Sequence, residues 1–191
     1  WPFVFIIITA TINGIRSAYA VMVSVQSGIW KRLIAMSEES PEQENPEQES
    51  ERFVDGDSDT IIDTAKRLVW LKQDTWQMSK KWMNQRQTKE FAVSLNRKRF
   101  AGFSNWRIPT AEEAKSLFDK KLQNKDNMGQ EIYIPTLFEP GCGFLCWTSD
   151  VRHNIQGVRI SFRKGVMMYD DIFRISRGTT RLVRNIDKKD D

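Results

Sequence analysis

The chain has 191 residues, a formal net charge of +4, one histidine and two cysteines. That length holds one ordinary domain plus appendages, since domains cluster near ~100 to 150 residues. A lone histidine without a recognisable nucleophile signature leaves no serine- or cysteine-type triad, and no glycine-rich phosphate loop occurs, so familiar enzyme motifs are missing.

Residues 1–36 read as a targeting or anchoring region. Phe3-Val-Phe-Ile-Ile-Ile-Thr-Ala-Thr-Ile12 is an apolar run of signal-peptide length, and Ser17-Ala-Tyr-Ala20 has the small-x-small form that signal peptidase accepts, which predicts cleavage after Ala20. The alternative is an uncleaved anchor, because hydrophobic character continues through Val21–Val25 and Ile29-Trp30 to Lys31-Arg32. Arg16 argues against one span through both halves, a guanidinium at the bilayer centre costing ~2.5 to 3.5 kcal/mol on insertion scales. Residues 37–51 hold seven glutamates and neither a basic nor an apolar side chain, which predicts an extended acidic linker. Those seven are the only acidic residues before Arg52, and just three basic residues precede it, so residues 52–191 carry +8. A domain of that sign attracts polyanions.

Within it, the closely spaced aspartates and the Asp-Gly pair of residues 54–59 predict an Asx-rich turn between strands. A calcium loop of EF-hand type fails, because Thr60 and Lys66 occupy the positions that need glycine and glutamate. Arg67-Leu-Val-Trp-Leu-Lys72 predicts a buried strand. Met83, Phe91, Ala92 and Leu95 share a stripe near helical spacing, so one helix or two shorter ones precede Gly102. Trp76 and Trp82, set among polar neighbours, are the tryptophans best suited to an exposed platform. Pro109 holds Ile108 extended, and Thr110 with Glu113 forms a capping box that predicts a helix over 111–122. Val158, Ile160 and Phe162 alternate with Arg159, Ser161 and Arg163, which predicts a strand with one apolar and one basic face, returning through Lys164-Gly165 into Val166–Tyr169.

Four segments carry a resemblance. Gly102-Phe-Ser-Asn-Trp-Arg-Ile-Pro-Thr110 resembles the signature of the Lcl C-terminal-like domain, the head of a bacterial collagen-like adhesin. Phe53–Trp70, Cys146-Trp-Thr-Ser149 and Thr180-Arg-Leu-Val-Arg184 resemble its opening, middle and closing segments, in the right order. The resemblance covers residues 52–186, with 187–191 as a charged tail. It implies an α+β, C-type-lectin-like fold, with a small, irregular, mostly antiparallel sheet, two flanking helices, and the first and last strands paired. Trp70, Trp106 and Trp147 fall inside these motifs and are assigned to the core, with Pro109, Thr110 and Glu113 as structural residues and Arg107 and Arg184 as structural ion-pair partners.

It also implies a non-catalytic binding module exported to the bacterial cell envelope. The implied partner is an anionic, sulfated polysaccharide or else an envelope protein, with the membrane itself a partner if the N-terminal segment stays uncleaved. No specific nucleic acid, cofactor or metal is implied. The family's head forms trimers, so a homo-oligomer is among the expectations, although this chain has no collagen repeat. The polyanion candidates are Arg97, Lys98, Arg99, Arg159, Arg163, Lys164, Arg174 and Arg177, since the planar guanidinium fork suits sulfate. Cys142 and Cys146 are either a local disulfide or two buried thiols. By analogy with a distant relative of this fold, the formylglycine-generating enzyme, a copper or redox site at that pair is the third alternative.

Overall fold

The computed structural model describes residues 5–12, 15–22, 52–57 and 59–186, and the acidic linker and the charged tail lie outside them. The chain divides into two units, Trp1–Asn45 and Pro46–Asp191. In the first, β1 (Phe5–Ile12) and β2 (Ile15–Met22) form an antiparallel hairpin. No helix among the described residues is long and apolar enough to cross a membrane.

The second unit is α+β and built on two antiparallel sheets. The strands β3 (Phe53–Asp55), β4 (Thr60–Asp63) and β5 (Leu68–Leu71) make a meander, and β11 (Val183–Asn185) adds to its far edge beside β5. The Asp/Gly segment turns as expected, with the Gly56 amide donating to the Thr60 carbonyl. The closing strand therefore pairs with β5, in register Val183↔Trp70, and not with the opening strand. Of the two outer edges of the meander, β11 takes that of β5, and β3 stays the other edge of the sheet.

β5 is buried on both faces, so its alternation feeds two cores. Leu68 and Trp70 join Ile132, Ile134, Phe138, Val158 and Ile160, while Val69 and Leu71 pack with Ala92, Leu95, Trp106 and Ile108. The second sheet has the order β10-β9-β8, from β8 (Leu145–Arg152), β9 (Gln156–Ser161) and β10 (Val166–Asp171). A short pair, β6 (Asn124–Lys125) with β7 (Glu131–Ile132), completes the strands.

Three helices appear among the described residues rather than two: α1 (Thr75–Ser79), α2 (Gln85–Arg97) and α3 (Ala111–Lys115). Each begins with a reciprocal capping box, from Asp74 with Gln77, Asn84 with Gln87, and Thr110 with Glu113. α3 stops well short of residue 122. The Leu117 and Phe118 amides already bond three residues back, and the Asp119 amide then donates to the Tyr133 carbonyl, which draws the chain off the helix axis.

The signature segment is pinned at nearly every residue. Asn96 of α2 clamps Trp106, its side chain accepting from the Trp106 amide at 2.7 Å and donating to the Trp106 carbonyl at 2.9 Å. The Trp106 indole donates to the Phe100 carbonyl, and Arg107 exchanges both backbone hydrogen bonds with Val183. Arg107 forks onto Glu113 at 2.8 and 2.7 Å, and Arg184 stacks on Phe103 while its Nε donates to Asn105. Arg107 thus makes the expected structural ion pair, and Arg184 is buried against Phe103 and Asn105. Trp70, Trp106 and Trp147 are buried.

Candidate functional site

The connection from α1 to α2 supplies an aromatic and basic surface. α1 lasts little more than one turn, because Lys80 adopts the left-handed conformation (φ 57°) that ends it. Lys81-Trp82-Met83 then leads directly to the Asn84 cap of α2. This sharp reversal folds Trp82 back onto Trp76, with ring centroids 4.1 Å apart and planes 11° from parallel. Both rings are half-buried, and Lys80 and Lys81 between them are exposed.

Two further segments meet this connection. The Met83 amide donates to the Gly178 carbonyl at 2.8 Å, and the Met83 carbonyl accepts from the Trp147 indole at 3.0 Å. A Cβ on Gly178 would collide with that same Met83 carbonyl, so only glycine permits the approach. Arg177 is thereby set next to the Trp82–Met83 backbone. Gly143 also lies near Trp82: a Cβ there would sit 3.3 Å from the indole and would collide with the Thr179 side chain. Its neighbour Phe144 carries two guanidinium groups over its ring, Arg163 at 3.9 Å and Arg177 at 5.8 Å.

Asp74 holds these segments together from below. Besides capping α1, its carboxylate accepts from the Gly143 amide at 2.7 Å and the Thr179 hydroxyl at 2.8 Å. Burial pushes its carboxyl upward, opposed by the Arg181 guanidinium and by these donors. On the surface above, Lys80, Lys81 and Arg177 are exposed and have no ion-pair partner among the described residues, whereas Arg163 is paired with Asp126 through an Nε–Oδ2 contact of 2.7 Å. The arrangement presents a stacked indole pair and a half-buried phenyl ring, ringed by cations. Such a surface can stack on a sugar face or other planar group while pairing with anionic substituents.

The eight basic residues expected from the sequence separate into three groups. Arg163 and Arg177 belong to this surface through Phe144, and Lys164 is exposed in the turn that follows Arg163. Arg97, Lys98 and Arg99 are exposed, but at the far end of the 13-residue helix α2, roughly 20 Å from its start. Arg159 is structural, and Arg174 is an exposed partner of the same aspartate, Asp170. The guanidinium of Arg159, 2% exposed, donates to Asp170 at 2.8 Å and to the carbonyls of Ser176 and Arg177, and stacks on Trp147 at 4.4 Å. Arg174 pairs with the other oxygen of Asp170 at 2.6 Å. The expected basic face of β9 is thus corrected: β9 is the central strand, and Trp147 with the 176–177 backbone covers the face that carries Arg159.

Lys80 and Lys81 escaped the sequence reading. The available signal was Trp76-Gln-Met-Ser-Lys-Lys-Trp82, two tryptophans flanking a basic pair. Cys142 and Cys146 are both buried free thiols. Burial pushes the Cys142 thiol up to about 12 and raises that of Cys146, the Arg181 guanidinium opposing it in each case. Both are therefore protonated near neutral pH, which disfavours thiolate chemistry.

Residues 59–184 match the family model described as the Lcl C-terminal domain. No curated protein and no solved structure matches the chain.

Proposed function

Because the chain belongs to the Lcl C-terminal domain family, we propose that it is an adhesin-like, non-catalytic binding module of the bacterial cell envelope that recognises anionic, sulfated glycans. The observation that carries this reading is the convergence of the Trp76–Trp82 stack with Lys80, Lys81, Phe144, Arg163 and Arg177 on one surface. The rings supply flat apolar contact for sugar faces, and the cations supply charge-assisted contacts for sulfate. Export is part of the same proposal and rests on the apolar run of residues 3–12 and the Ala18-Tyr-Ala20 site.

Retention on immobilised heparin across a salt gradient tests it. Wild type elutes later than a basic control protein of matched charge, and K80A/K81A elutes substantially earlier with unchanged thermal stability, as counterion-coupled contacts require. Equal retention of wild type and K80A/K81A contradicts this site. Retention no greater than the control contradicts the glycan reading altogether and favours an envelope protein as partner.

A further inference from the structure

The Trp76–Trp82 surface is assembled from segments that lie far apart in the chain. α1 has only five residues, well below the ~12 to 15 at which an isolated helix becomes even marginal in water, so Trp76 depends on whatever fixes that helix's start. Phe144 follows the loop glycine Gly143, and Arg177 lies in the connection that reaches Met83 through Gly178. One side chain meets all three segments. Asp74, 2% exposed, accepts from the Gln77 amide at 2.8 Å through Oδ1, and from the Gly143 amide at 2.7 Å and the Thr179 hydroxyl at 2.8 Å through Oδ2.

These hydrogen bonds have a direction, and it points at Asp74. The Thr179 hydroxyl gives its one proton to Oδ2, so it accepts from the Thr75 hydroxyl at 3.1 Å and from the Trp76 amide at 3.4 Å. The Thr75 hydroxyl accepts in turn from the Thr180 amide at 3.0 Å. The carboxylate therefore ends a buried relay that includes the backbone of Trp76 itself. Thr179 has a second part in the floor of the surface: a Cβ added to Gly143 would collide with its methyl group and stand 3.3 Å from the Trp82 indole, so Thr179, Gly143 and Trp82 pack together. The Gln77 and Gly143 amides can only donate, and they occupy different oxygens. The arrangement thus needs two acceptor oxygens, and an amide side chain of the same shape offers one.

We propose that Asp74 is the positioning residue of the binding surface, fixing Trp76, Phe144 and Arg177 relative to one another without touching the ligand. The proposal rests on the reading of that surface as a glycan site. A ligand that stacks on the indoles and pairs with the cations gains most when those groups need no rearrangement, so a loosened floor weakens binding although every contacting side chain is retained. The test uses Asp74→Asn, Thr179→Val and Thr179→Ser in the full chain, with calorimetric titration of a heparin-derived oligosaccharide and far-UV circular dichroism, in which two stacked indoles give a coupled pair of bands. D74N and T179V each weaken binding about fivefold and diminish the couplet, whereas T179S, which keeps the hydroxyl, stays within about twofold of wild type in both. Weakening by D74N cannot come from charge, because removing a negative charge strengthens polyanion binding. At temperatures well below the unfolding midpoints, a merely stabilising role leaves affinity and couplet as in wild type. Unchanged affinity or an unchanged couplet in D74N and T179V, or a T179S as impaired as T179V, overturns the proposal. A wild type without heparin affinity contradicts the glycan reading instead, and the couplet then decides whether Asp74 positions the stack.

Discussion

Arg159→Met distinguishes a structural arginine from a ligand-binding one. The substitution keeps an unbranched apolar stem against Trp147 but removes the guanidinium, with its contacts to Asp170 at 2.8 Å, Ser176 O at 3.2 Å and Arg177 O at 2.8 Å. Removing one partner of a buried ion pair costs ~3 to 5 kcal/mol when the other charge is stranded. Here Asp170 keeps Arg174 at 2.6 Å and is partly exposed, so the cost falls toward the lower bound. Burial also drives the Arg159 guanidinium below its ordinary value, the desolvation outweighing Asp170, so part of its electrostatic gain is already offset. The two carbonyls left without this donor add to the loss, giving about 3 kcal/mol in all. For a domain of this size that corresponds to a fall of about 10 °C in Tm by differential scanning calorimetry. Heparin retention of the folded variant stays within the modest change expected from one lost charge. A Tm within about 2 °C of wild type, together with a large loss of retention, would refute the reasoning and return Arg159 to the binding set.

Three further outcomes are expected. Asn96→Ala removes both hydrogen bonds to the Trp106 backbone and lowers unfolding free energy by about 2 kcal/mol in urea titration, with the m-value unchanged. Glu113 is held below the ordinary carboxylate range: its own partial burial pushes the other way, and hydrogen bonds from Arg107 and Thr110 outweigh it. A depressed folded-state value contributes stability above the ordinary glutamate value that is lost as pH falls through the depressed one, so Glu113→Gln has a flatter Tm-against-pH curve over that acidic window. Finally, Cys142 and Cys146 resist a thiol reagent at pH 8 in the native protein and both react on unfolding, as burial and the raised Cys142 thiol require; rapid native labelling would contradict their placement.

What was legible in the sequence was what the chain settles locally. Pro109, Thr110 and Glu113 announce a helix start because the proline holds Ile108 extended while Thr110 and Glu113 satisfy each other's backbone amides three residues apart, and the alternation of β9 announces a strand. The β9 alternation also separates two faces correctly, yet it cannot say what covers them. Arg159 looked exposed because its covers, the Trp147 ring and the carbonyls of residues 176–177, come from 12 or more residues away along the chain. Lys80 and Lys81 were missed for a similar reason. Their interest depends on the left-handed turn at Lys80, which folds Trp82 onto Trp76, and on Gly143 and Gly178, which let two distant segments approach. The closing strand illustrates the same limit. Its composition marks a strand, but which of the meander's two edges it joins depends on contacts made far along the chain, such as the Arg107–Val183 bridge.

The central claim is that the Trp76–Trp82 surface, with its lysines and with Arg177, is where an anionic glycan is held. Titrating the isotope-labelled chain with a heparin-derived oligosaccharide and following indole and backbone resonances tests this directly. Saturable shifts confined to Trp76, Lys80, Lys81, Trp82, Phe144 and Arg177 are predicted. Shifts gathered instead at Arg97, Lys98 and Arg99, or none at a concentration that saturates heparin retention, would contradict it.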